Sequence, residues 1–100
     1  MTDATELAAL RKAILDLHGA QAEHVESVPV VERFQGETVW DGVVEVFKLD
    51  DHSAGTAYAW RHESDAGGWR YVAVLHKPPV DTPQKAVQAA LVAEYRARQK

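Results

Sequence analysis

The sequence predicts a small single-domain α+β fold of the order α-β-β-β-β-α, an antiparallel sheet with two terminal helices packed on one face. Apolar residues recur at helical spacing near both ends of the 100-residue chain. Between them lies a segment rich in valine and aromatic residues, which glycine-containing turn sequences divide into shorter pieces. The content of 46% hydrophobic and 26% charged residues is typical of a globular domain.

The first helix is predicted over residues 4–18. Asp3 is a good N-cap, and His18 followed by Gly19 is typical of a helix C-terminus. The apolar stripe at helical spacing consists of Leu7, Leu10, Ile14 and Leu17. The helix is therefore amphipathic, and we expect this stripe to face the sheet.

Two strands are predicted over residues 24–34 and 37–49, on either side of a Gln-Gly turn. Pro29 has no amide hydrogen to donate to a neighbouring strand, which favours an edge position for the first strand. Gly42 indicates a β-bulge in the second strand, and a bulge there would reverse the facing of the residues that follow it.

The third and fourth strands are predicted from TAYAWRH (residues 56–62) and WRYVAVLH (residues 69–76). A four-residue SDAG turn between them gives the cross-strand pairs Tyr58–Ala73, Trp60–Tyr71 and His62–Trp69. Because side chains alternate along a strand, these residues share one face of the hairpin. This face is rich in large rings, so we expect Trp60 and Tyr71 to be buried under the helices.

The second helix is predicted to begin at Thr82 or Pro83. Thr82 is a good N-cap, and Pro83 suits the first helical position because its missing amide hydrogen is not needed there. The apolar stripe of this helix consists of Val87, Ala90, Leu91 and Tyr95. We expect Val87 and Leu91 to pack against the sheet.

The face opposite the aromatic one has an apolar centre with a basic rim. Its partner-binding candidates are Val43, Phe47, Ala59, Arg61, Arg70, Val72, Val74 and His76. Two helices on the aromatic face would leave this face uncovered, which predicts a homodimer or a complex with another protein. Asp41 and Glu45 would supply the opposite charges for the two arginines.

The composition excludes or disfavours several functions. The chain has no cysteine, so disulfides and thiolate metal sites are excluded. The net charge of −4 disfavours a duplex binder. Neither a membrane span nor a signal peptide is indicated, which predicts a cytoplasmic protein. The histidines show no metal-ligand spacing, and no nucleophile or phosphate-loop motif is present, so we predict no catalytic residue, metal or cofactor.

The first functional hypothesis is a non-enzymatic interaction or regulatory module that acts through protein contacts or self-association. The alternative is a small-molecule binder or simple enzyme with a pocket between the helices and the aromatic face, where the ligand-binding candidates are Trp60, His62, Trp69 and Tyr71. A third hypothesis is nucleic-acid binding, since the element order and TPQKAVQAAL are similar to those of double-stranded RNA-binding domains. The cations of such a binder would be Lys77, Lys85, Arg61 and Arg70, and the similarity assigns no family.

Overall fold

The computed structural model describes residues 4–63 and 67–98. Its elements follow one another as α1 (Ala4–His18), β1 (Ala22–Phe34), β2 (Glu37–Leu49), β3 (Thr56–Glu63), β4 (Trp69–Leu75) and α2 (Pro83–Arg98). The strands form one antiparallel sheet in the order β1-β2-β3-β4. The predicted α+β class and element order are therefore confirmed. The predicted cap Asp3 and most of the predicted SDAG turn lie outside the described residues.

The local signals for turns and caps have the expected structural consequences. Gln35 and Gly36 both adopt positive φ, at 53° and 80°, which makes the β1–β2 connection a two-residue type I′ turn. Thr82 caps α2, because its Oγ1 accepts a hydrogen bond from the Lys85 amide at 3.1 Å. Pro29 lies in β1, which is an edge strand as predicted.

The two helices pack on opposite faces of the sheet, whereas the sequence led us to expect both on one face. On one side, which we call the α1 face, α1 packs on a core of Leu10, Ile14, Ala20, Phe47, Leu49, Ala57 and Ala59. On the other side, the α2 face, α2 packs on a core of Val30, Val44, Val46, Tyr58, Trp60, Ala86 and Val87. Each face of the sheet thus carries one helix.

The pairing of β3 with β4 differs by one residue from the predicted pairing. Glu63 pairs with Trp69, so five residues rather than four separate the paired ends of the strands. A shift of one residue moves every side chain of a strand to the other face. As a result Val72 and Val74 lie opposite Trp60 and Tyr58 on the α2 face, and Tyr71 lies opposite Arg61 on the α1 face.

Gly42 is not at a bulge, in contrast to the prediction. It pairs in regular register with Val30, and the register shifts of this hairpin lie elsewhere, between His24 and Glu26 and between Glu32 and Arg33. A Cβ atom at position 42 would lie 3.0 Å from the Trp40 ring. The glycine therefore makes room for the Trp40 indole, which contacts Trp60 edge to face.

Candidate interaction surface

The α1 face is covered at one end and open at the other. Helix α1 begins above β3, where Oε1 of Glu6, in its first turn, lies 2.5 Å from Arg61 Nε. Beyond this ion pair, four exposed large apolar residues follow the strand pairing onto the α1 face, and we call the region that they form with Arg61 the open end of this face: Val31, Val43, Trp69 and Tyr71. Their exposed fractions are 45%, 45%, 54% and 38% in that order. Phe34 and Val39, next to the β1–β2 turn, are exposed as well. Exposed apolar surface of this kind is typical of an interaction site.

Strand register determines how the open end is arranged. Val43 pairs with Pro29, and Val31 pairs with Asp41, so the two valines are diagonal neighbours on β1 and β2. Tyr71 and Trp69 are two residues apart on β4 and therefore point to the same face. The open end thus has an aliphatic half on β1–β2 and an aromatic half on β3–β4.

Arg61 is the cation of the open end, and its guanidinium already has two partners. Besides Glu6, its Cζ lies 4.1 Å from the centroid of the Trp69 ring, a cation–π contact. Arg70 pairs across the strands with His62 and so belongs to the opposite face. The two arginines do not form one basic surface, which weakens the hypothesis of a nucleic-acid binder.

The structure divides the predicted partner-binding residues between the two faces. Val43, Phe47, Ala59 and Arg61 belong to the α1 face, and Arg70, Val72, Val74 and His76 belong to the α2 face. Phe47 and Ala59 are completely buried beneath α1. Val72 and Val74 pack against the α2 core. Of the eight residues, Val43 and Arg61 lie at the open end.

The four predicted ligand-binding residues do not surround one pocket. Trp60 is buried in the α2 core, and His62, which is partly buried, points to the same face. Trp69 and Tyr71 lie on the other face and are exposed, so the expected burial of Tyr71 under the helices is corrected. The pair of exposed rings belongs to the open end.

Glu45 does not pair with the two arginines as expected, and lies instead at the buried centre of a polar cluster on the α1 face. The side chain of Glu45 is 1% exposed, and its Oε1 lies 2.8 Å from His24 Nε2. The hydroxyl of Ser27 donates a hydrogen bond to the same oxygen. Burying a carboxylate is costly unless it is hydrogen-bonded, and these two side chains from β1 supply such bonds. The signal in the sequence is an acid inside the apolar run VVEVF of a central strand.

The serine, histidine and glutamate of this cluster are not arranged as a catalytic triad. In a triad one ring nitrogen of the histidine faces the serine and the other faces the carboxylate. Here the same nitrogen, His24 Nε2, lies 2.8 Å from the Glu45 carboxylate and 3.5 Å from the Ser27 hydroxyl. The Ser27 proton is held by the carboxylate, so this arrangement stabilises a buried charge and does not activate a nucleophile.

A second polar contact joins β3 to the segment that follows β4. The Tyr58 hydroxyl lies 2.6 Å from Nδ1 of His76, and the Tyr58 side chain is almost completely buried. Burial, and to a smaller extent the negative charge of Asp81, raises the pKa of Tyr58. The phenol therefore remains protonated well above neutral pH and keeps its place in this contact.

Comparison with known proteins assigns the chain to no family. No protein-family model matches the chain, and neither a curated protein nor a solved structure resembles it significantly. Within residues 4–63 and 67–98, no helix has the length and apolar character required to span a membrane. In the same residues, histidine and acidic side chains form no group of three suited to a metal ion.

Proposed function

We propose that this protein is an interaction module that forms a two-fold homodimer through the open end of the α1 face. The observation that carries the proposal is the exposure of Val31, Val43, Trp69 and Tyr71 together at one end of one face. Covering these side chains would remove apolar surface from water, which is the main favourable contribution to protein association. In a two-fold dimer the same surface of both copies forms the interface, so a second copy would cover these four side chains and have its own four covered.

A two-fold rotation would bring unlike halves of the open end opposite each other. With the axis between the copies and along the strand direction, β1–β2 of one copy faces β3–β4 of the other. Val31 and Val43 would then contact the Trp69 and Tyr71 rings of the second copy. Asp41 would approach β3 of the second copy, which carries Arg61. Such charges orient an interface more than they strengthen it.

Association through a face is favoured over association through a sheet edge. Pro29 interrupts the hydrogen-bonding groups of edge strand β1. On the other edge, β4, the carbonyl oxygen of Ala73 lies 3.0 Å from the His18 ring. An incoming strand would find each edge partly blocked near its middle.

The proposal is tested by the mass of the protein in solution over a wide concentration range. Light scattering or sedimentation equilibrium should show a rise from 11.1 kDa, the mass of one chain, towards twice that value. Val43→Glu would place a charge in the interface and should keep the protein monomeric without unfolding it. The matched control is Val25→Glu, an exposed valine at the opposite end of the β1–β2 hairpin, which should still dimerise.

Two outcomes would reject this function. One is the mass of a single chain at every concentration. The other is equal dimerisation of the Val43 and Val25 variants, which would assign the interface to another surface.

A further inference from the structure

A second surface, on α2, lies apart from the open end. A groove of about 470 Å³ runs along this helix and is lined by Pro79, Val80, Lys85, Gln88, Ala89, Val92, Ala93 and Arg96. We infer that this groove binds an acidic amphipathic helical segment of another protein. This inference does not depend on the proposed homodimer.

The groove is built from one stripe of α2 and a ridge beside it. Residues 85, 89, 92 and 96 follow helical spacing and lie on one side of the helix. The ridge comes from Pro79 and Val80, and Val80 is anchored because it packs against the α2 core. Ala89 and Ala93 form a low floor, which lets another backbone approach closely.

The dimensions of the groove suit a short helix. From Lys85 to Arg96 the helix advances about 16 Å at 1.5 Å per residue, which is about three turns. Apolar anchors at positions i, i+4 and i+7 of a partner helix would lie along the floor, in the way that amphipathic helices bind to grooves.

The charges at the groove select an acidic occupant. Among the described residues, its charged lining consists of Lys85 near one end and Arg96 near the other. Lys85 Nζ lies 3.1 Å from Asp81, but both side chains are at least half exposed. An exposed pair of this kind contributes little stability, so Lys85 can turn to a partner carboxylate.

A second copy of α2 does not fit the same groove. Antiparallel packing would bring Lys85 of one copy to Arg96 of the other, and parallel packing would bring each cation to itself. Both arrangements place like charges together, which costs free energy on association.

The exposure of the C-terminal half of α2 is a further reason to expect a partner. Residues 92–97 are all exposed, and among them Val92 and Tyr95 are 48% and 65% exposed. Most helices in proteins derive their stability from packing of an apolar side. A flat bilayer would rest on the Pro79–Val80 ridge without reaching Ala89 and Ala93, so a peptide helix fits this surface better than a membrane.

The test uses two synthetic helical peptides that differ only in charge. Both carry leucines at i, i+4 and i+7; one has glutamates on both flanks and the other has lysines. In a titration followed by amide chemical shifts, we expect the glutamate peptide to perturb the groove residues and to bind at least about tenfold more tightly than the lysine peptide. The double variant Lys85→Glu/Arg96→Glu should reverse this preference. Arg11→Glu/Lys12→Glu, on exposed positions of α1, is the matched control and should preserve it.

Three results would overturn the inference. Equal affinity for the two peptides would remove the role of charge. Shifts mapping to other residues would move the site. Failure of both peptides, combined with groove-dependent binding to phosphatidylserine-containing vesicles, would assign the surface to a membrane. Because Val43→Glu leaves the groove intact, loss of dimerisation in that variant should not change peptide binding.

Discussion

The two faces of the sheet differ in the size of the side chains that the covering helix and the central strand β3 bring together. On the α1 face the helix contributes the large Leu10 and Ile14 and β3 contributes the small Ala57 and Ala59, while β2 adds Phe47 and Leu49 to the same core. On the α2 face the helix contributes small residues, whereas the sheet contributes Tyr58 and Trp60 among its large ones. Large side chains therefore meet small ones at both interfaces, which is how close packing is achieved in protein cores.

This size complementarity explains why each helix lies on its own face. If α1 lay on the α2 face, its leucines would meet tyrosine and tryptophan rings, and overpacked cores are destabilised. The opposite exchange would place Ala86 over Ala57 and Ala59 and leave a cavity. The faces also differ in polarity, since the fully buried Glu45 lies on the α1 face.

The largest expected loss of stability comes from removing an aromatic ring of the α2 core. Trp60→Ala should lower the free energy of unfolding by about 3–5 kcal/mol, because the small residues of α2 cannot fill the space left by the indole. Trp69→Ala is the matched control on the α1 face, and since it is 54% exposed it should cost only about 0.5–1 kcal/mol through its contact with Arg61. Denaturant unfolding measures both, and equal losses would contradict the assignment of faces.

A substitution that enlarges a core side chain tests the packing of α1 on the alanines of β3, Ala57 and Ala59. Ala59→Leu should destabilise the protein by about 1–3 kcal/mol, because the added atoms would push against Leu10 and Ile14 of α1. Ala8→Leu, at an exposed position of the same helix, should change stability by less than about 0.5 kcal/mol. If Ala59→Leu had no effect on thermal unfolding, α1 would not pack tightly on Ala57 and Ala59.

The features that follow from local chemistry were predictable from the sequence. The bounds of α1, the edge position of the strand with Pro29 and the cap at Thr82 each depend on a few neighbouring residues, and each is confirmed. The facing of β4 depends on one residue in a turn, and sequence patterns do not determine turn length that finely. The error moved Val72, Val74 and Tyr71 to the opposite faces from those predicted.

The candidate surface was predictable only in part. Val43 and Arg61 were expected in a partner site, and Trp69 and Tyr71 were expected in a ligand site, yet the structure brings these four to the same open end. Which residues of the α1 face stay exposed depends on the position over the sheet at which α1 begins. That position is fixed by tertiary contacts such as Glu6 with Arg61, which periodicity along the chain does not reveal.

The polar cluster around Glu45 allows a test of the difference in polarity between the two faces. His24→Ala should lower the free energy of unfolding by about 1–3 kcal/mol, since the buried Glu45 carboxylate would lose a hydrogen-bonding partner. Adding Glu45→Leu to this variant should recover part of the loss, because the apolar side chain needs no partner. A double-mutant cycle measures the coupling of the two residues. If the double variant is less stable than His24→Ala, the carboxylate is not the source of the cost.

A smaller effect at neutral pH than that of His24→Ala is expected from the polar contact of the α2 face, in which the Tyr58 hydroxyl meets His76. Tyr58→Phe should cost about 0.5–1.5 kcal/mol at neutral pH through loss of this hydrogen bond. Burial raises the pKa of Tyr58 in the folded protein above its ordinary value of 10.0. The folded state therefore holds the phenolic proton more tightly than the unfolded state, and this contribution to stability is complete below pH 10.0 and is lost as the pH rises through the folded pKa.

Unfolding measured at a series of alkaline pH values separates this contribution from others. The pair of Lys12 with Asp16 raises the pKa of Lys12 in the same direction, but it is present in both proteins and cancels when wild type and Tyr58→Phe are compared. The difference between the two should shrink as the pH rises above about 10. Asp81→Asn removes the negative charge that is the second cause of the raised pKa of Tyr58. The stability that this variant loses between neutral and alkaline pH should therefore lie between the losses of wild type and Tyr58→Phe. Parallel curves for wild type and Tyr58→Phe would mean that folding does not raise the pKa of Tyr58, contrary to the result expected for a phenol buried in the α2 core.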